Sequence, residues 1–220
     1  FILMKNTIII PARAGSKRLI KKNFLIFNNK TLVERTIVFS KKIKNIDQII
    51  VSSDSFEISH LKKKYKDILF LKRPKYLSTD KSLITSTIYY LYNLFDKSFK
   101  NIMILQPTSP YRSLNYINSQ WSKFIDLKKR YKSCASVSRG KNIDKKKFKI
   151  KYNTLILQVK KKNINLYEAN GNFFMANMEF LKRYKRFIVS EKTIASVIKS
   201  KKNIIDIDTK KDYKLALKYK

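Results

Sequence analysis

IIIPARAGSKRLIKKN, residues Ile8–Asn23, joins a wholly apolar run to a loop dense in positive charge. Three consecutive isoleucines ending at Pro11 read as a strand buried on both faces, as the inner strands of parallel sheets are. Behind them come Gly15 and five cations, Arg13, Lys17, Arg18, Lys21 and Lys22. Open α/β sheets bind ligands at loops that leave the carboxyl ends of such strands. Gly15 permits unusual dihedrals, successive N–H groups in such a loop form an anion nest, and the cations offset a polyphosphate. Two readings stand on the residues alone: a phosphate-binding loop, or a basic surface loop. It is not a Walker A loop, since GxxxxGK followed by Ser or Thr is absent, and it is not a GxGxxG fingerprint.

Outward from this strand, short apolar runs alternate with amphipathic patterns, which predicts βα units around a mostly parallel sheet. Thr31–Ile43 reads as a helix and QIIVSS (Gln48–Ser53) as the second strand. A helix at Ser55–Tyr65, a strand at Asp67–Leu71 and a helix capped by Asp80 or Ser82 and ending near Phe95 follow. NIMILQ (Asn101–Gln106) is another buried strand, and Leu114–Lys129 a helix. Cys134–Ser138, Gly171–Asn177, Ala195–Lys199 and Asn203–Asp208 read as later strands, with a last helix starting near Thr209. Residues 139–166 are β-like and lysine-rich, as a hairpin excursion from the core would be. The expected fold is one Rossmann-like α/β domain over residues 1–220, with that excursion attached.

The net charge of +35, from 50 Lys+Arg against 15 Asp+Glu, invites a polyanion partner. The lysines are dispersed from Lys5 to Lys220, which favours decorated surface helices over a nucleic-acid interface. A hydrophobic content of 44% excludes a disordered polar chain. No apolar run approaches the roughly 18 residues of a membrane span. The opening FILM is too short for a signal-peptide core, and Met4 is a candidate start. A single cysteine, Cys134, excludes an internal disulfide, suits a reducing cytoplasm, and reads as a small core residue. The single histidine, His60, reads as a surface helix residue, which removes most imidazole chemistry. Asp54 reads as a turn or cap residue, and Asn28 or Asn29 as a left-handed turn residue.

With carboxylates so scarce, Asp206-Ile207-Asp208 stands out. On a strand, alternation puts both aspartates on one face, two hard oxygen ligands for one cation. The other reading is the cap of the last helix.

Six stretches together resemble a known family. They are PARAGSKRLIKKN (Pro11–Asn23), IIVSSDSFEIS (Ile49–Ser59), LKRPKYLSTDKS (Leu71–Ser82), LQPTSPYR (Leu105–Arg112), LYEANGNFFMAN (Leu166–Asn177) and IDIDTKKDY (Ile205–Tyr213). In this order they resemble motifs of the CMP-sialic acid (acylneuraminate) synthetases, cytidylyltransferases that activate nine-carbon α-keto acid sugars. QPTSP resembles the sialic and legionaminic branch. The resemblance implies the nucleotide-diphospho-sugar transferase fold. It implies that CTP and a nonulosonic acid give CMP-sugar and pyrophosphate, for surface glycan synthesis.

Carried over by position, the resemblance implies that Arg13, Ser16, Lys17 and Lys22 hold the CTP phosphates. Arg13, Lys17 and Lys22 would also offset charge on the departing pyrophosphate. Asn23, Arg73 and Ser82 would serve the cytidine pocket, and Gln106 and Asn170 the acceptor. Asp206 and Asp208 would bind Mg2+, which acidifies the attacking hydroxyl, with Asp212 structural. A cytoplasmic homodimer is also implied, in which residues 139–166 of one subunit reach the other's acceptor pocket. Leu155, Leu157 and Val159 would share a strand face left exposed on a monomer. The chain lacks the family's Arg-Gln-x-x-Pro-like element before Asn170-Gly171, and Lys160–Lys162 are the stand-in cations. The competing readings are a degenerate synthetase that only binds nucleotide, and a basic nucleic-acid-binding module.

Overall fold

The computed structural model describes residues 4–130, 132–140, 146–158 and 166–219, and in it the isoleucine run lies within β1 (Lys5–Pro11). The chain continues through β2 (Ile26–Phe27), β3 (Lys30–Thr31), α1 (Leu32–Ser40), β4 (Gln48–Ser53), α2 (Ile58–Lys64) and β5 (Leu69–Lys72). Next come α3 (Ile84–Leu94), β6 (Phe99–Ile104), α4 (Leu114–Asp126), β7 (Ser133–Arg139), β8 (Lys147–Lys151) and β9 (Thr154–Gln158). Last are β10 (Tyr167–Asn177), α5 (Met178–Tyr184), β11 (Thr193–Val197) and α6 (Lys210–Leu217). Nine strands form one sheet in the order β5-β4-β1-β6-β10-β7-β11-β9-β8. β5, β4, β1 and β6 are parallel, as are β7 and β11, while β10 runs antiparallel between β6 and β7. The Rossmann-like α/β sheet read from the sequence forms, parallel through β5-β4-β1-β6 and mixed beyond it, with β9 antiparallel to both β11 and β8.

Ile8, Ile9 and Ile10 are all fully buried because the sheet is covered twice. Ile8 and Ile10 pack with Val33 and Ile37 of α1 and with Trp121 and Phe124 of α4. Ile9 faces the other layer, with Ile88 and Leu91 of α3 and Phe180 of α5. A strand with no solvent face carries no alternation, hence the unbroken apolar run. From β1 the chain steps outward to β4 and β5, then returns to place β6 on the other side of β1. That reversal of strand order opens a crevice at the carboxyl ends of β1 and β6.

Three expectations are overturned. Asn203–Asp208 is not a strand; it is tied to the loop after β6 by Ile207 N–H donating to Thr108 O at 2.8 Å and to β10 by Asn172 Nδ2 donating to Asn203 O at 2.7 Å. Its alternation survives without a ladder, because Ile205 and Ile207 bury against Phe27, Leu32, Tyr111 and Ala216. Neither Asp80 nor Ser82 caps α3, whose N-cap position is Leu83 with no side-chain cap. The stripe of Leu155 and Leu157 is not uniformly bare. Leu155 is fully buried against Ala135, Val137 and Phe148, since β9 and β8 extend the main sheet at its far edge. Leu157 is exposed, while Val159 and Lys160–Lys162 lie outside the described residues.

The local readings at Asn28, Asn29 and His60 hold, and a further turn and cap are seen. Tyr152 and Asn153, with φ of 48° and 59°, make the two-residue turn between β8 and β9, the left-handed pair that hairpins prefer. Asn28 and Asn29 are left-handed, with φ of 51° and 61°. Thr209 and Asp212 form a reciprocal capping box on α6, and His60 is exposed on α2.

Cys134 sits on β7, buried between the sheet's neighbours, and burial pushes its thiol up to about 12. Attack on a disulfide reagent needs the thiolate. At pH 8 a chromogenic disulfide should therefore titrate no thiol in the native chain and one after denaturation. Rapid labelling of the native protein would show that β7 is not held in the core.

Candidate functional site

The loop after β1 is pinned at both ends. Ala12 N–H donates to Ser52 O at 2.9 Å, and Ala14 N–H to Asp54 Oδ1 at 2.7 Å, so Asp54 is the brace of a loop. At the far end Asn23 Nδ2 donates to Arg13 O at 2.9 Å, and Leu19 is buried with Phe27 and Leu32. Gly15 is not the residue that needs left-handed freedom. A Cβ there would meet only Ser78 O, at 3.9 Å, and the left-handed φ of 51° falls on Lys21.

Each of the five loop cations meets a carboxylate from elsewhere in the chain. Arg13 Nη2 lies 2.7 Å from Asp80 Oδ1, and Lys17 Nζ 3.1 Å from Asp80 Oδ2. Lys22 Nζ and Arg18 Nη2 take the two oxygens of Asp208, at 2.5 and 3.1 Å. Lys21 reaches Glu57 at 2.6 Å. Lys17 and Arg13 together hold the Asp80 carboxyl below the usual range, and Lys21 does the same for Glu57.

Arg13, Lys22, Asn23, Arg73, Ser82, Gln106, Asp206 and Asp208 line one cleft of about 300 Å³ at the mouth of the crevice. Arg73 is buried, with Nε and Nη2 donating to Ser52 Oγ (3.2 Å) and Ser52 O (2.9 Å). Burial pushes its guanidinium down to about 10, opposed by Asp54, so it stays charged at neutral pH. Ser82 Oγ donates to Tyr76 O at 2.8 Å and lies 2.7 Å from Thr79 Oγ1, bracing the loop that carries Asp80. Three expected site residues fall outside this lining. Lys17 reaches Asp80 from the exposed side, Ser16 is half-buried in the loop, and Asn170 is buried behind the wall.

Behind Gln106 and Asp206 the wall is backed by a bulge. The register of β10 against β7 shifts between Ala169 and Phe174, so Asn170-Gly171-Asn172 leaves the ladder. Asn172 Nδ2 donates to Tyr111 O at 3.0 Å and to Asn203 O at 2.7 Å, tying the bulge to the loop after β6 and to the acidic segment. Arg112, which sequence reasoning left without a role, donates through Nε to Asn172 O at 3.0 Å and through Nη2 to Gln106 O. Burial pushes Arg112 down to about 9 while the Asp206 charge opposes that shift. Its only sequence signal was its place at the end of LQPTSPYR. A second cleft of about 520 Å³ shares Asp206 and Asp208 with the first and is also lined by Arg18, Glu168 and Lys201. Glu168 pairs there with Lys147 of β8 at 2.6 Å, both nearly buried.

A family model described as cytidylyltransferase matches residues 7–220. An N-acylneuraminate cytidylyltransferase of Escherichia coli is 31% identical over 216 residues, 95% of this chain and 50% of that one. A CMP-N,N'-diacetyllegionaminic acid synthase of Legionella pneumophila is 31% identical over 227 residues, 98% of this chain and 96% of that one. The chain thus spans half the length of the first relative and nearly all of the second. The structure of CMP:2-keto-3-deoxy-manno-octonic acid synthetase complexed with CTP shares the fold, with a TM-score of 0.76 over 98% of each chain at 12% identity.

Gly171 is where this wall tolerates least. Its φ is +77°, and a Cβ there would stand 2.6 Å from Gln106 Oε1 and 3.5 Å from Asp206 Oδ2. Gly171→Ala should therefore cost about 1–3 kcal/mol in denaturant unfolding, from backbone strain and the displaced Gln106. A stability equal to the parent's would show that the bulge relaxes freely.

Proposed function

We propose, for a chain that belongs to the cytidylyltransferase family, that it transfers CMP from CTP to a nonulosonic acid of the sialic or legionaminic type. The observation that carries this reading is convergence. Three cations, Arg13, Lys22 and Arg73, meet the paired Asp206 and Asp208 in one cleft at the strand-order reversal. Relatives named for these two sugar acids supply the substrate class.

In this reading the anomeric hydroxyl attacks the α-phosphorus, the bond from that phosphorus to the β-phosphate bridge breaks, and pyrophosphate leaves. Arg13, Lys17 and Lys22 offset charge on the leaving group, which is catalysis by positioning and electrostatics. Arg73 is held rigidly by Ser52 and fixes the nucleotide's place, with Asn23 and Ser82 shaping the pocket around it. The acceptor enters from the second cleft, which meets the first at the two aspartates. Gln106 orients it, with Asn170 shaping the bulge behind.

Asp206 and Asp208 fit magnesium. Asp208 already gathers two cationic groups on its two oxygens. Among the described residues there is no cluster of three His, Cys, Asp or Glu side chains, and magnesium characteristically takes one or two carboxylates and completes its shell with phosphate and water. Held there, the ion would polarise the phosphate oxygens and acidify the attacking hydroxyl. Asp208→Asn should lower turnover by on the order of 10²-fold or more with the fold retained, by analogy with other lost electrostatic stabilisers. Arg13→Ala should likewise cripple turnover, while Lys62→Ala on the exposed face of α2 leaves it unchanged. The assay is pyrophosphate release across four nucleoside triphosphates and a panel of nonulosonic acids. Near-parental rates for Asp208→Asn, or release that ignores the sugar acid, would overturn the reading.

The working unit is proposed to be a cytoplasmic homodimer joined at the far edge of the sheet, where Tyr152 and Leu157 of the β8–β9 hairpin are exposed. Charge opposes it, but screening at physiological salt acts over about 8 Å, and apolar burial is worth roughly 25 cal/mol per Å². Light scattering should report twice the chain mass at physiological salt. A fully active monomer would remove the shared-site idea.

A further inference from the structure

Arg13 and Lys17 differ from Arg73 in how they are held. Arg73 is buried and bonded to the backbone and hydroxyl of Ser52, so it is fixed whatever occupies the cleft. Arg13 and Lys17 meet in a single carboxylate from another loop, Asp80, which itself lines the cleft. One oxygen of Asp80 takes the guanidinium and the other the ammonium, as two oxygens of a phosphate would.

Neither loop needs this link for its shape. The Asp80 loop has its own braces: Ser82 to Tyr76 and Thr79, and Ser78 Oγ to Pro74 O at 3.1 Å. The cationic loop is held by Asp54, Asn23 and the buried Leu19. The side chains of Asp80 and Lys17 are 39% and 87% exposed, and ion pairs this open to water exchange partners at little cost.

We propose that Asp80 is a resident stand-in for phosphate. It holds Arg13 at the cleft wall and Lys17 at its exposed side, yields them when the triphosphate arrives, and recaptures them from pyrophosphate so that the by-product leaves. The inference rests on the phosphate-loop reading above and assigns that loop its competitor. An anion left against Asp80 would meet like charge, so removing the carboxylate strengthens binding of the rival anion. A purely structural brace would have the opposite sign.

The test is calorimetric binding of inorganic pyrophosphate, without divalent metal, to the full chain and to Asp80→Asn. The variant should bind about 3- to 10-fold more tightly, the range expected when weak exposed pairs cease to compete. Asp80→Glu, which keeps the charge, should return affinity toward the parent's. Asp67→Asn breaks the pair with Lys41 at 2.7 Å away from the cleft and should change nothing. In turnover, Asp80→Asn should lower KM for CTP and sharpen product inhibition by pyrophosphate. Unchanged or weaker pyrophosphate binding by Asp80→Asn overturns the inference and leaves the phosphate loop standing. A parent chain that does not bind pyrophosphate overturns the phosphate loop itself.

Discussion

The crowding of five cations between Arg13 and Lys22 is the constraint around which the site is arranged. Like charges so close together repel unless anions stand among them, and the chain supplies those anions from three distant places. Glu57 comes from the β4–α2 connection, Asp80 from the approach to α3, and Asp208 from the approach to α6. Asp80 and Asp208 are also walls of the cleft. The pairs of Lys17, Arg18 and Lys21 are open to water and worth about 0–1 kcal/mol each, so they do not hold the fold together. The two apolar layers around β1 do that. The Asp54 and Asn23 hydrogen bonds and the buried Leu19 set where the loop lies over the sheet, and the ion pairs answer its charge.

Elements buried on both faces were legible in the sequence. QIIVSS became β4 without a change of boundary, because its residues pack against helices on either side and its ends are set by the loop geometry. The segment Asn203–Asp208 shows where pattern and hydrogen bonding part company. Alternation reports which side chains face inward, and Ile205 and Ile207 do face inward, yet a strand needs a partner edge. Asp80 was misread as a cap for a related reason. Helix-start chemistry is local in sequence, whereas its partners Arg13 and Lys17 lie more than sixty positions away. Arg112 was equally hidden, since its bonds to Asn172 O and Gln106 O exist only once the β10 bulge is in place.

Scarcity makes the acids informative. Asp47 accepts from Asn6 N–H at 2.7 Å and fixes the start of β1, and Asp212 closes the α6 capping box. Glu34 takes Lys64 and Tyr65 at 2.8 and 2.9 Å, joining α1 to α2. In a chain this rich in lysine, a randomly placed acid finds a cation almost anywhere, so pairing alone says little. Position says more. These acids sit where a backbone donor or a crowded cation would otherwise go unanswered.

The lysine excess and the site therefore act on different scales. Surface lysines, screened beyond about 8 Å at physiological salt, act on an anion only at short range. In and beside the cleft four loop cations are already answered, two on Asp80 and two on Asp208. What remains distinctive is rigidity. Arg73 in the cleft wall and Arg112 behind it are held by carbonyl and hydroxyl oxygens away from water, where a fixed charge acts more strongly than in water. What sets this cleft apart is therefore the geometry of its fixed and answered charges, and the net charge adds nothing to that.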